Sequence, residues 1–414
     1  MMENPGTVRP DETLKSVASL SWALALLTFQ QFSRAYLPGH SNEQMKSWEA
    51  LQQEMAASAC SVFTSDTWIT SSLMRTILDL TGASAGLLQG AITERKNQAS
   101  WREFQNKLHA FYLFQHVVSA IDLPAGNTDI SLPELTEKAR SLGPYDSVWT
   151  LEGLGHYYAR LYLRKNILPS NLLRDSSRDG LPAWGLLPLH TGMGLALAEF
   201  LLRNISCCET AADCFREACQ HNSQDGYVEA AYEALGLVVR NLFPDLVGPI
   251  HTHLSKHYCD LLPYFWHGAG RAIYFSPVNL LPYRNAPWKG MEMCADPSWG
   301  PVPRRNMLAG FAWAMFLVNL KYPEVLDLLL ECHAGNMPEP AAFMNGIYSA
   351  AVVWRDCAPQ EKFLQGLCNR ELNGTDQFSR EAWGNYIQSP VRKALDDYPY
   401  LSASHRIGCV FRSD

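Results

Sequence analysis

Beyond about residue 12, apolar positions recur at three- and four-residue steps, the spacing that gathers side chains on one face of an α-helix. Leu73, Ile77 and Leu80 show it, and Phe111, Phe114, Val118 and Ile121 repeat it. Residues 13–122 are therefore expected to form an N-terminal helical domain of four helices behind a polar, Pro- and Gly-bearing tail at 1–12. Helix breakers then cluster at Pro124, Gly126, Asn127, Pro133, Gly143 and Pro144. They mark 123–145 as a linker holding one short helix near 134–140. No period-2 run reads as a strand, so the expected fold is all-α.

The texture changes over 146–414. Very apolar helical stretches there carry glycine in their interiors, although a mid-helix glycine costs about 1 kcal/mol against alanine. The lead glycines Gly153, Gly192, Gly236, Gly268, Gly310 and Gly346 stand 32 to 44 residues apart. Between them lie more polar stretches with a single apolar stripe, at 211–221, 249–262 and 321–333. This is the pattern of degenerate repeats near 40 residues, stacked helical hairpins with the glycine-bearing helices as the inner layer and the connectors outside.

Composition narrows the function classes. With 34 basic and 41 acidic residues the net charge is −7, and no run of like charge suggests a nucleic-acid or anionic-membrane footprint. The apolar stretch at 20–29 is about half the ~20 residues a membrane span needs. Acidic residues ahead of it and the lack of a cleavage site after it argue against a secretory signal. The 11 cysteines contain no C-x-x-C pair and read as buried thiols of a reducing compartment, so the expected location is cytoplasmic.

Chemistry-bearing residues concentrate on the glycine-bearing helices. Glu152, Gly155, His156 and Ala159 share one face, and so do His267, Gly270, Arg271 and Tyr274, with Trp266 alongside. Glu233 sits beside Gly236, and His190 precedes Gly192 and Gly194. If the glycine faces converge, Glu152, His156, Glu233, His267 and Arg271 form a catalytic set. His190, Gly192, Gly194, Trp266, Gly268, Gly270 and Tyr274 would then line the substrate site. The same residues also suit a buried structural network, with Arg271 bonded to Glu152 or Glu233. His156, His190 and His267 could hold iron or haem, and a cofactor-free site fits equally. His253 and His257, at i and i+4 near Asp260, are a weaker metal pattern. Cys207, Cys208, Cys214 and Cys219 lack zinc-knuckle spacing. No nucleophile elbow, phosphate loop or dinucleotide fingerprint occurs.

The ordered series LEGLG (151–155), HTGMGLALA (190–198), YEALG (232–236), HGAGRAIYF (267–275), LAGFAWA (308–314) and NGIYSAAV (345–352) resembles the UnbL-type enediyne biosynthesis protein family, a domain of unknown function. The match covers about 140–360. Glu152 and Gly153 stand at the family's Glu-Gly, Gly192 and Gly194 at its Gly-x-Gly, and Gly268, Gly270 and Arg271 at its Gly-x-Gly-Arg. His156, His190 and His267 depart from the family pattern, as do Glu233 and Ala234 where it has Asp-Gly, and the first ~135 residues have no counterpart. The resemblance implies a secondary-metabolite role on an apolar polyketide- or lipid-like intermediate.

Three functions remain open at this level. The chain is an enzyme using acid/base or metal- or haem-assisted oxidative chemistry on such an intermediate, a non-catalytic carrier of an apolar small molecule, or a helical scaffold for a protein partner. A homo-oligomer is compatible with each.

Overall fold

The computed structural model describes residues 95–121, 131–174, 180–276, 286–372 and 376–413. The helices expected before Arg95, the tail at 1–12 and residues 123–130 of the expected linker lie outside the described residues. Within the described residues all regular structure is helical and no strand occurs, so the fold is all-α. The helices that position the site are α1 (Arg95–Gln115), α2 (Pro144–Leu163), α3 (Ala183–Asn204), α4 (Val228–Leu242), α5 (Leu262–Tyr274), α6 (Pro301–Val318), α7 (Pro340–Cys357) and α8 (Ser389–Ala403).

Local sequence explains where several of them start. Proline occupies the first turn of α2, α5, α6, α7 and α8. A first-turn N–H has no intrahelical acceptor, and the proline ring presets a helical φ, so the residue starts a helix at no cost in hydrogen bonding. The short helix expected near 134–140 runs Leu132–Arg140, with Pro133 in its first turn rather than ending the linker before it. The connector expected over 249–262 is divided. One helix, Val247–His257, stops before the chain turns into α5 at Leu262.

From α2 to α7 each labelled helix packs on the next, α1 lies on α2 and also touches α6, and α7 touches α3 and carries α8. The steps are made at glycine. A Cβ on Gly192 would stand 1.8 Å from the Glu152 carbonyl oxygen of α2, and one on Gly268 1.9 Å from the Glu233 carbonyl oxygen of α4. No side chain tolerates such distances, so only glycine lets these helix backbones touch. Gly194 meets Ala231 and Gly270 meets Met307 in the same way. The four glycines assigned to substrate binding are thus filled by neighbouring backbone, which leaves no room for a ligand at any of them.

The tight crossings have a consequence for chemistry. The carbonyls of Glu152, Glu233 and His267 are the ones pressed against Gly192, Gly268 and Gly310. Their side chains therefore leave the backbone where helices are closest, deep in the packed stack. Helix α3 is long and apolar enough to cross a membrane, and it is mostly buried inside the protein instead. Every described cysteine is a free thiol.

Candidate functional site

Helix α5 organises the site, because His267, Arg271 and Tyr274 follow one another at four- and three-residue spacing on one buried face. Arg271 Nη2 donates to both carboxylate oxygens of Glu152 at 2.6 Å, and Nη1 donates to Glu233 Oε2 at 3.3 Å. The other Glu233 oxygen, Oε1, lies 2.8 Å from His267 Nδ1. His267 and Glu233 are fully buried, and Arg271 and Glu152 nearly so. Helices α2, α4 and α5 thus contribute one acidic or basic group after another to a single buried cluster.

Two carboxylates face one guanidinium, so the cluster carries one negative charge while His267 is neutral. The carboxylates are not equivalent. For Glu152, burial raises the carboxyl above its ordinary range, and Arg271 only partly offsets this. For Glu233, burial acts the same way but is outweighed by Arg271 and the His267 hydrogen bond, which together hold it below the ordinary range. Repulsion between the two acids adds to the rise at Glu152. Glu233 is therefore the committed anion. It orients His267 by accepting from Nδ1, which leaves Nε2 as the group free to take or give a proton.

That nitrogen has no hydrogen-bond partner, and neither do Arg271 Nε and Trp313 Nε1, although all three are buried. Trp313 of α6 lies under the Arg271 guanidinium, 4.6 Å from its carbon to the ring centroid, and 6.4 Å from the His267 ring. Phe411 packs edge-on to His267 at 5.5 Å and against Trp313 at 5.9 Å. An unpaired buried polar atom typically costs 1–3 kcal/mol, so three around one cluster require an explanation.

The remaining sequence candidates go elsewhere. His156 lies 3.6 Å from Glu199, longer than a hydrogen bond, and against Phe114. It does not share Glu152, whose oxygens both belong to Arg271, so Glu233–His267 is the carboxylate–imidazole pair of the cluster. His190 is a saturated core histidine: its Nδ1 bonds the Leu186 carbonyl at 2.7 Å, and its Nε2 accepts from the Gln224 amide at 3.0 Å. Burial pushes its pKa down to about 4. Trp266 turns away from the cluster, donating to His251 and packing on Trp299. Tyr274 belongs to a second network described below.

The iron or haem reading loses His190, because both of its nitrogens are taken up by backbone. Among the described residues no three His, Cys, Asp or Glu side chains are grouped as a metal requires. His253 pairs with Asp213 at 2.7 Å instead of Asp260, with the His257 ring 5.0 Å away. The thiols of Cys207 and Cys208 face Glu209.

Sequence reasoning missed Trp313 and Phe411. Trp313 follows Gly310 by three residues and so shares its face, a signal available in advance. Phe411 lies in a short segment with no periodicity, and nothing local marks it. Comparison of the chain with protein-family models, with curated proteins and with solved structures returns no match, so the reading of this site rests on its own geometry.

Proposed function

We propose that this chain is an acid/base enzyme of secondary metabolism, in a reducing compartment such as the cytoplasm, that moves a proton on an apolar polyketide- or lipid-like small molecule. His267 is the reacting base. The observation that carries the reading is a fully buried imidazole nitrogen without a partner, held in orientation by Glu233 and flanked by the rings of Trp313 and Phe411. A base must be oriented, partly desolvated and unengaged before substrate arrives, and Nε2 meets all three conditions.

His267 Nε2 takes a proton from an acidic C–H or O–H of the substrate and becomes imidazolium. The positive charge forms beside Glu233 and cancels the single excess negative charge of the cluster. Returning the proton to another position of the same molecule completes an isomerisation with no other reactant. Arg271 belongs to the catalytic set expected from the sequence. Its two terminal nitrogens are occupied by Glu152 and Glu233, so it fixes the carboxylates and offers only Nε to a ligand. The aromatic walls suit an apolar substrate body. The repeat organisation near 40 residues and the relationship to the UnbL-type family are part of the same proposal, as the frame that brings the glycine-bearing helices together.

The test is deuterium exchange into a polyenoyl N-acetylcysteamine thioester incubated with the protein in D2O, read by mass spectrometry. Wild type is expected to incorporate deuterium. His267→Gln is expected to lose incorporation by roughly 10²- to 10⁴-fold, the usual worth of one general base, while still binding the thioester. Binding without exchange in wild type would replace the enzyme with a carrier. Absence of binding across chain lengths would leave the scaffold reading.

A further inference from the structure

We propose that the segment 407–413 is a displaceable strap. In this structure its Phe411 packs on the His267 ring, and its withdrawal opens that place to a ligand. The inference rests on the reading of His267 as the reacting group and adds how that group is reached.

The strap is a single 3₁₀ turn, Ile407–Val410, followed by Phe411, whose ring is fully buried between His267 and Trp313. Hydrogen bonds at Gly408, Cys409 and Ser413 tie it to the rest of the chain. The Gly408 amide donates to the Gly226 carbonyl at 2.9 Å. At the far end the Asn306 side chain brackets Ser413, donating to its carbonyl at 3.2 Å and accepting from its amide at 2.7 Å. Between these points the Cys409 thiol donates to Glu229 Oε1 at 3.7 Å, and Val410 and Phe411 are buried.

A phenyl edge neither donates nor accepts an ordinary hydrogen bond. With Phe411 in place, His267 Nε2 and Trp313 Nε1 stay unpaired, and Arg271 Nε beside them is unpaired as well. Those open valences point to an occupant other than the strap. It would have an apolar body the size of a ring or short chain, ending in a hydroxyl that donates to Nε2 and accepts from a neighbouring N–H. Such a molecule would exchange phenyl burial for its own and satisfy polar atoms the strap leaves unmet.

The test reads chemical access to the imidazole and needs no turnover. Full-length wild type, Asn306→Ala and Phe411→Ala are treated with diethyl pyrocarbonate, and modification of His267 and His190 is followed by peptide mass spectrometry. His190 is an internal reference, since both of its nitrogens are hydrogen-bonded in the core. Loosening the strap is expected to speed His267 modification about tenfold with His190 unchanged, as loss of ~1.4 kcal/mol of attachment would produce. His267 and His190 rising together, or neither rising, would overturn the proposal. In unmodified protein, the amides of Gly408 and Ser413 are expected to exchange with deuterium well before those of α5. Exchange of the strap and α5 at one common rate would also sink it. If the strap opens while the thioester shows no exchange, the strap stands and the base assignment fails.

Discussion

One face of α5 serves two buried polar clusters a single turn apart, and they are finished differently. Around Tyr274 the network is closed. Its hydroxyl donates to Glu103 at 2.8 Å and accepts from Asn319 at 2.9 Å, Asn319 also binds Asn106 and the Met315 carbonyl, and Lys107 pairs with Glu103 at 3.2 Å and lies over the Tyr274 ring. None of these side chains is left with an unpaired buried atom. Around His267 and Arg271 three such atoms remain. A network built only for stability is expected to be saturated, because each open valence costs free energy without return. The unsaturated cluster is therefore the one the proposed function places at the reaction.

The largest effect separating the two should come from Arg271→Met. It leaves Glu152 and Glu233 buried without a countercharge, which typically costs 3–5 kcal/mol. Denaturant unfolding should show this loss, and adding Glu152→Gln and Glu233→Gln should restore much of it. A triple variant as unstable as the single one would mean that Arg271 acts by packing. Gly268→Ala comes next, at about 3 kcal/mol, because its Cβ would meet the Glu233 carbonyl and spread α4 from α5. The same variant should slow thioester exchange by moving Glu233 from His267. Stability unchanged by this substitution would refute the tight crossing.

Tyr274→Phe tests the closed network with a smaller change. Removing one hydroxyl strands Glu103 and Asn319, so a loss of about 2 kcal/mol is expected, with His267 reactivity toward diethyl pyrocarbonate unaltered. A faster reaction at His267 would show that the two clusters are one.

Asp356 extends the comparison to a carboxylate with no cation partner, read as a pH slope rather than a fixed loss. Tyr398 donates to its Oδ1 at 3.0 Å, its Oδ2 is unpaired, and burial pushes its pKa up to about 7. A folded-state pKa above the unfolded value means that the folded state holds the proton more tightly. The contribution is full below the unfolded value near 4 and fades as pH rises toward 7. The slope should be at most ~1.4 kcal/mol per pH unit in that window. Asp356→Asn should flatten it, and an unchanged slope in the variant would assign the pH dependence to another group.

Much of the frame was legible in advance. The glycine-bearing helices, their order and the contribution of Glu152, Glu233, His267 and Arg271 to one cluster follow from 3.6-residue spacing and the need to pair buried charge. The Arg271 pairing was foreseen as the structural alternative, and both named acids take part. The roles of His156 and His190 were not legible. Spacing places a histidine on a face but does not say whether its ring turns to a carbonyl one turn back, as His190 does to Leu186, or across to another helix, as His267 does to Glu233. Lys107 escaped notice because a lysine on an amphipathic helix ordinarily reaches water, and only the packing of α1 onto the rest buries it.

By itself the sequence determined that the described residues are all-α, where the glycine-bearing helices run, and that a close packing reason stands behind their glycines, because periodicity and the cost of a mid-helix glycine are local properties. Only the tertiary structure decided which acid holds which base, that His267 rather than His156 is oriented by a carboxylate within hydrogen-bond reach, and that Phe411 packs on its ring. Those outcomes depend on the relative rotation of helices far apart in the chain, and a turn of one residue on any of them exchanges one partner for another.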